Sequence, residues 1–164
     1  MTAATVRLAT EADLDGLADV LAEGHAIHAA ALPDVFRVTP GAFSSAEFRA
    51  SMAATLAHDD DALFVAERDG QIVGTIRATL RVTPESAFMC AERVACVSNL
   101  AVLASHAGAG IGRALIEAAT RWARDHDSGA VELDVFEFNR GAIAMYEHLG
   151  FTTLRRTMRL PLSS

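Results

Sequence analysis

Positive charge is in short supply. Lys plus Arg number 14 against 21 Asp plus Glu, a formal net charge of -7 with histidine neutral. Nucleic acid and anionic membrane surfaces, which demand a basic footprint, are thereby excluded as partners, while a cationic amine is admitted. Long apolar runs are missing too: no stretch approaches the ~18 residues a membrane span needs, and Met1-Thr2-Ala3-Ala4-Thr5-Val6-Arg7 lacks the apolar core of a signal peptide, so a cytoplasmic protein is expected. Cysteine is scarce. Cys90 and Cys96 cannot make a metal site by themselves, and on one strand they would stand ~20 Å apart, too far for a disulfide. Repeats, linkers and low-complexity segments are also absent, and 164 residues fit one domain over 1–164, large enough to bury roughly two thirds of its unfolded surface.

What is present centres on Val97 to Asp125. Val97-Ser98-Asn99-Leu100-Ala101-Val102 reads as a strand and His106-Ala107-Gly108-Ala109-Gly110-Ile111-Gly112 as a glycine loop. Ile111, Leu115, Ile116, Ala119, Trp122 and Ala123 then recur at helical spacing. Glycines at a helix start let an anion approach the unpaired N–H groups and the positive end of the helix dipole, so a phosphate-bearing ligand is the first hypothesis. A P-loop needs Gly-Lys-Ser/Thr, but Gly112 is followed by Arg113 and Ala114; a dinucleotide fingerprint needs a third glycine where Arg113 stands.

The segment resembles instead the acyl-coenzyme A loop of the GCN5-related N-acetyltransferases (GNAT), Arg/Gln-x-x-Gly-x-Gly/Ala after a strand ending in Leu-x-Val. Leu100 and Val102 match the strand and Gly110 and Gly112 the glycines, while Ala107 takes the Arg/Gln place. The resemblance implies that Leu100, Ala101, Val102, Ala107, Gly108, Ala109, Gly110, Ile111, Gly112 and Arg113 bind acetyl-coenzyme A, without a metal. A glycine turn of purely structural role is the competing reading.

Elsewhere the pattern alternates strand and helix. Val6-Arg7-Leu8 precedes Thr10, a cap for a helix bearing Leu14, Leu17, Ala18 and Leu21, which closes with His25 and His28 before Leu32-Pro33-Asp34. Two histidines at i, i+3 suit a metal, but no third ligand accompanies them. The stretch from His28 to Phe36 resembles a segment that helps form the acceptor side in some family members. Ser44 or Ser45 caps a second helix with Phe48, Met52 and Leu56, and Asp59-Asp60-Asp61 reads as a solvated loop. Strands around Leu63–Ala66 and Ile72–Val82 flank the hairpin signal Arg68-Asp69-Gly70-Gln71. Val94–Val102 and Val131–Val135, joined through the loop helix, should run parallel. Thr157–Leu160 reads as a final strand.

Between these, Asn139 starts a helix with Ala142, Ile143, Tyr146 and Leu149 on one face, and Gly150 ends it. Asn followed seven residues later by Tyr, then Gly-Phe, resembles the usual close of the same family. Across nearly the whole chain the resemblance implies an α/β (α+β) fold, a central mixed, mostly antiparallel sheet of about six strands with helices on both faces and one splayed parallel pair. It also implies Asn139 and Tyr146 at the cofactor, and pairing into homodimers through sheets or C-terminal strands.

The chemistry follows from what acetyl transfer needs. A lysine-like amine is neutral in only ~1 molecule in 2,500 at pH 7, a handicap of about 4.6 kcal/mol, so a proton must be removed. A backbone N–H at Leu100 or Ala101 can polarise the thioester carbonyl. Tyr146 is the candidate catalytic residue, protonating or hydrogen-bonding the departing thiolate, although the transfer from phenol to thiolate is uphill by about 2 kcal/mol. A tyrosine that only packs, its hydroxyl satisfied elsewhere, is the alternative. Where the family often places a glutamate base, this chain has Cys96 and Ser98, and Glu92 lies ~20 Å upstream of Ser98 on a regular strand. An ordered water or a substrate group remains as base. The expected activity is acetyl-coenzyme A-dependent N-acetylation of a primary amine on a small molecule or peptide. A non-catalytic acyl-coenzyme A binding module is the alternative.

Overall fold

The computed structural model describes residues 3–162. They fall into two compact units, 3–134 and 135–162.

The first unit is one five-stranded sheet with its helices. β1 (Thr5–Leu8), β2 (Asp61–Arg68), β3 (Gln71–Thr83), β4 (Glu92–Val102) and β5 (Ala130–Leu133) lie side by side in chain order. β1 to β4 pair antiparallel, and β5 joins β4 in parallel. Residues Ala62–Ala66 and Ile72–Ile76 are buried without alternation, which a strand shows only when both its faces are covered. α1 (Leu14–Ala31) and α3 (Ile111–Asp125) both pack on β3 and β4, and α2 (Ala46–Leu56) packs on β2. The fully buried Leu17, Val20, Val65, Val73, Ile76, Val94 and Leu115 mark the core.

Local signals explain the boundaries. Asp69 and Gly70, both at positive φ, form the two-residue turn between β2 and β3. Ser45 Oγ accepts from Phe48 N–H at 3.1 Å, so Ser45 rather than Ser44 caps α2. Asp13, buried, accepts from Thr10 N–H at 2.7 Å and from both terminal nitrogens of Arg7 at 2.8 Å, tying the start of the first helical segment to β1. Those bonds lower the Asp13 pKa to about 2.

Two expectations need correction. Asp61 is not part of a solvated loop: it opens β2 nearly buried, takes both Arg77 Nε and Nη2 at 3.0 Å, and also bonds Thr79. The acidic run is split between two exposed aspartates, Asp59 and Asp60, and one that anchors two strands. The final strand expected at Thr157–Leu160 is not formed either, since the described residues after Gly150, 151–162, contain no regular element. β5 is accordingly the edge, and it ends at Leu133 rather than Val135.

The second unit contains α4 (Arg140–His148). Asn139 caps it, its Oδ1 accepting from Ala142 N–H at 3.2 Å. Gly150, at φ +92°, closes it: Gly150 N–H donates to Glu147 O and Phe151 N–H to Tyr146 O, both at 3.0 Å. This paired arrangement satisfies the helix's last carbonyls and brings the Tyr146 and Phe151 rings to 5.7 Å.

Candidate active site

The parallel pair is short, and β4 outruns β5. β5 is registered with β4 only from Val94 to Val97, while β4 runs on to Val102. Beyond Val97, the backbone groups on that side of β4 have no strand partner among the described residues. On its other side β4 is paired with β3 but bulges: Thr75 faces Ala101 and Arg77 faces Ser98, so Asn99 and Leu100 together oppose Ile76. Asn99 takes the extra turn at φ +54°, a conformation Asn tolerates better than other side chains. A bulge leaves backbone groups out of the ladder and re-aims the strand. Sequence patterning missed it, although an Asn in mid-strand, where its propensity is poor, was a usable signal.

After Val102, Leu103 N–H still donates to Val73 O at 2.9 Å, and a single 3-10 turn, Ala104–His106, leads into the loop. Glu23 on α1 accepts from Ala104 N–H at 2.6 Å and so ties the helix to the loop's entrance. Gly108 and Gly110 hold φ of +75° and +76°, a region open at little strain to glycine alone, and a Cβ at either would meet nothing within 4 Å. Gly110 is the N-cap of α3, with no side chain capping it. The first helical bond runs from Ala114 N–H to Gly110 O. The N–H groups of Ile111, Gly112 and Arg113 are therefore the orphan donors of a helix start. Arg113 pairs with Glu117 at 2.8 Å on the exposed helix face. Ala107 contributes no polar side chain.

The first unit thus brings together Leu100, Ala101, Val102 and the run Ala107 to Arg113. Asn139 and Tyr146 lie two turns apart on α4 in the second unit. Asn139 Oδ1 is committed to the cap. Tyr146 is part-buried and its phenol pKa is raised by that burial, so it remains a proton-bearing donor at neutral pH. No hydrogen bond of the hydroxyl is found among the described residues.

Candidate bases are distributed unevenly. Glu92 is at the exposed start of β4, paired with Thr83, and Ser98 is exposed beside the bulge. Cys96 is part-buried and, like Cys90, a free thiol. His25 Nε2 is 2.8 Å from Arg37 O and His28 Nδ1 is 3.0 Å from Gly24 O. No three His, Cys, Asp or Glu side chains gather as a metal site among the described residues, and no helix there is long and apolar enough to cross a membrane.

Comparison with known proteins agrees with this geometry. The profile of the acetyltransferase (GNAT) family matches residues 29–151. A mycothiol acetyltransferase of Thermomonospora curvata is 35% identical over 112 residues, 68% of this chain and 34% of the relative. N-acetyltransferase 8 of Rattus norvegicus is 34% identical over 88 residues, 54% of this chain and 38% of the relative. The aligned part thus spans about a third of the length of these relatives. Among solved structures, a tetramutant of the BH1408 protein from Bacillus halodurans superposes with a TM-score of 0.86 at 28% identity, covering 96% of this chain and 99% of that one. AAC(6')-Iy, solved with a bisubstrate analogue of coenzyme A and acetylneamine, shares the fold at a TM-score of 0.73 and 19% identity over 99% of this chain and 100% of that one. With a strand that bulges and runs on past its parallel neighbour before a glycine-led helix, and with the family profile matched over most of its length, the chain belongs to the GNAT family of acetyltransferases.

Proposed function

We propose that this protein is an acetyl-coenzyme A-dependent N-acetyltransferase acting on a primary amine of a small molecule or peptide, with both units serving one transferase domain over 1–164. The observation that carries the reading is the continuity within the first unit of an unpaired β4 edge, a bulge and an open glycine loop. Acetyl-coenzyme A supplies a thioester whose carbonyl carbon accepts the amine. The edge of β4 at Leu100, Ala101 and Val102 offers backbone groups to the amides of the pantetheine arm, as an added strand would be paired. Donors from Gly108 through Arg113 receive the pyrophosphate at the positive end of α3. A backbone N–H released at the bulge, at Leu100 or Ala101, hydrogen-bonds the carbonyl oxygen as negative charge develops on it. Asn139 shapes the start of α4, and Tyr146 presents its hydroxyl to the departing sulfur.

Ala107 and the lack of a carboxylate at Cys96 and Ser98 favour one second reading, a binding module that holds the acyl thioester without transferring it. Calorimetric titration with acetyl-coenzyme A, followed by a screen of amines for free thiol release, separates the two. Binding with turnover supports the transferase; binding without turnover on any amine supports the module; no binding removes both. We further propose a cytoplasmic protein that pairs with a second copy of itself.

A further inference from the structure

The sheet face that α1 covers opens, further along, onto a polar floor. Ala101 and Thr75 are registered across β4 and β3, so their side chains point the same way, and α1 rests on that face at Gly24, where a Cβ would stand 3.1 Å from Ala101 Cβ. From Thr75 to Thr79, β3 is matched residue for residue with β2, and from Arg77 to Thr83 with β4, so Thr75, Arg77, Thr79 and Arg81 alternate onto the same face. Ile76 and Ala78, on the opposite face, are fully buried. Thr75 is fully buried too, whereas the side chains of Arg77 and Arg81 are 31% and 45% exposed. The cover therefore thins with distance from the bulge. Ser98, registered with Arg77, adds an exposed hydroxyl to this floor between the bulge and Cys96.

The two arginines differ in what they have left to give. Arg77 donates from Nε and Nη2 to the nearly buried Asp61, 3.0 Å each, a bidentate pair that holds two strands together. Arg81 donates once, from Nη2 to Glu132 Oε2 at 2.6 Å. Arg81 is on β3, registered with Val94, and Glu132 is on β5, registered with Cys96. The ion pair thus arches over β4, joining strands two spacings apart, ~9.6 Å, and passes within electrostatic reach of Cys96. A guanidinium has five N–H donors, and four of those on Arg81 have no protein partner among the described residues. Glu132 steadies the head, and the remaining fork has the planar geometry that takes a carboxylate through two parallel bonds.

We propose that Arg81, steadied across β4 by Glu132, receives a carboxylate of the acceptor, which makes the substrate an amine that carries a carboxylate some way from its nitrogen; the assignment rests on the acetyl-transfer reading above. The floor sets the span. Ile76 opposes the bulge, and Thr79 shares a rung with Cys96 and Glu132, three residues or ~10 Å along β3. With its nitrogen at the bulge, where the thioester carbonyl is held, the acceptor lies past Ser98 and ends at Arg81. An ω-amino acid of that reach fits, as does the end of a short peptide, since three extended residues span the same ~10 Å. The positive amine and negative tail of such a molecule also leave it with no net charge to be repelled by a chain of formal charge -7.

The test measures thiol release from acetyl-coenzyme A with acceptors of graded and matched length in three series: ω-amino acids and short peptides, α,ω-diamines, and plain alkylamines. The parent should favour the carboxylate series by at least about tenfold in kcat/KM at the best length, and added salt should shrink that preference. Arg81→Gln should lower kcat/KM for the carboxylate acceptor by about 10- to 100-fold, mainly through KM, while its rate with the alkylamine stays within about twofold of the parent's and shows the variant to be folded. Arg81→Glu should turn the preference towards the diamine. Arg93→Gln, at a position registered with Val82 on the opposite face, should keep the parent's preference. A parent indifferent to the tail's charge or favouring the diamine, or an Arg81→Gln loss equal in all three series, would overturn the assignment of Arg81 and leave the transferase reading standing. A parent inactive on every amine would remove both.

Discussion

A hydroxyl and a carboxylate carry the sharpest forecasts among single residues. If Tyr146 meets the leaving sulfur only as the thioester breaks, Tyr146→Phe should lower kcat and kcat/KM together by roughly 10- to 1,000-fold, with acetyl-coenzyme A affinity nearly unchanged. Steady-state thiol release beside a calorimetric titration checks it; a kcat within about twofold of the parent, with chemistry rate-limiting, would return Tyr146 to a packing role. Burial raises its pKa, which makes outright proton donation still more uphill and shifts the expected contribution towards hydrogen bonding. Asp13 has a different task. Its pKa is lowered from 3.8 to about 2, chiefly by the hydrogen bonds from Arg7. A carboxylate depressed on folding stabilises the native state above its unfolded pKa, and the contribution is lost as pH falls through the folded value. Asp13→Asn should therefore melt below the parent at neutral pH, by roughly 1–2 kcal/mol once the water around half-exposed Arg7 is allowed for, and the gap should narrow between pH 4 and pH 2. A gap constant across that window would contradict the ion-pair account.

At the scale of elements, the glycine loop can be tested without breaking it. Gly110 holds a positive φ with empty space where a Cβ would point, so a substitution there clashes with no protein atom. Gly110→Asn tolerates that φ better than Gly110→Val does. It should keep the melting temperature close to the parent's while raising the acetyl-coenzyme A dissociation constant at least tenfold, about 1.4 kcal/mol. Unchanged affinity in a folded Gly110→Asn protein would end the phosphate-loop reading. The elements that surround this loop were legible where periodicity or capping chemistry speaks locally: the Ile111–Ala123 stripe, the Asp69-Gly70 turn, Asn139 and Gly150 at the ends of α4. Patterning was blind to anything decided by distant partners. Asp61 reads as solvated in an acidic run because Arg77 and Thr79, which bury it, lie 16 and 18 residues away. The bulge at Asn99 escaped because register is a property of two strands.

For the whole molecule, the unformed strand at Thr157–Leu160 bears on association. Met158, Leu160 and Leu162 alternate as a strand would, yet are 87%, 80% and 84% exposed, and β5 ends the sheet as an open edge. An unpaired edge and an alternating apolar segment are what strand addition between copies uses. Light scattering should give about twice the 17.4 kDa of one chain, and Met158→Asp with Leu160→Asp should shift it to the monomer; a parent that stays monomeric at high micromolar concentration would contradict pairing. The alternation itself was visible in the sequence, but a strand exists only where a ladder partner is supplied, and none of residues 151–162 has one.

The central claim is that this fold moves an acetyl group from sulfur to nitrogen. The most direct measurement is mass spectrometry of a mixture of the protein, acetyl-coenzyme A bearing an isotopic label in the acetyl group, and an amine that triggers thiol release. The account predicts labelled amide and free coenzyme A in equal amounts, both lost when the protein is omitted. Thiol released without labelled amide would make the protein a thioesterase, and acetyl-coenzyme A bound but unconsumed with every amine would make it a binding module; either result contradicts the account.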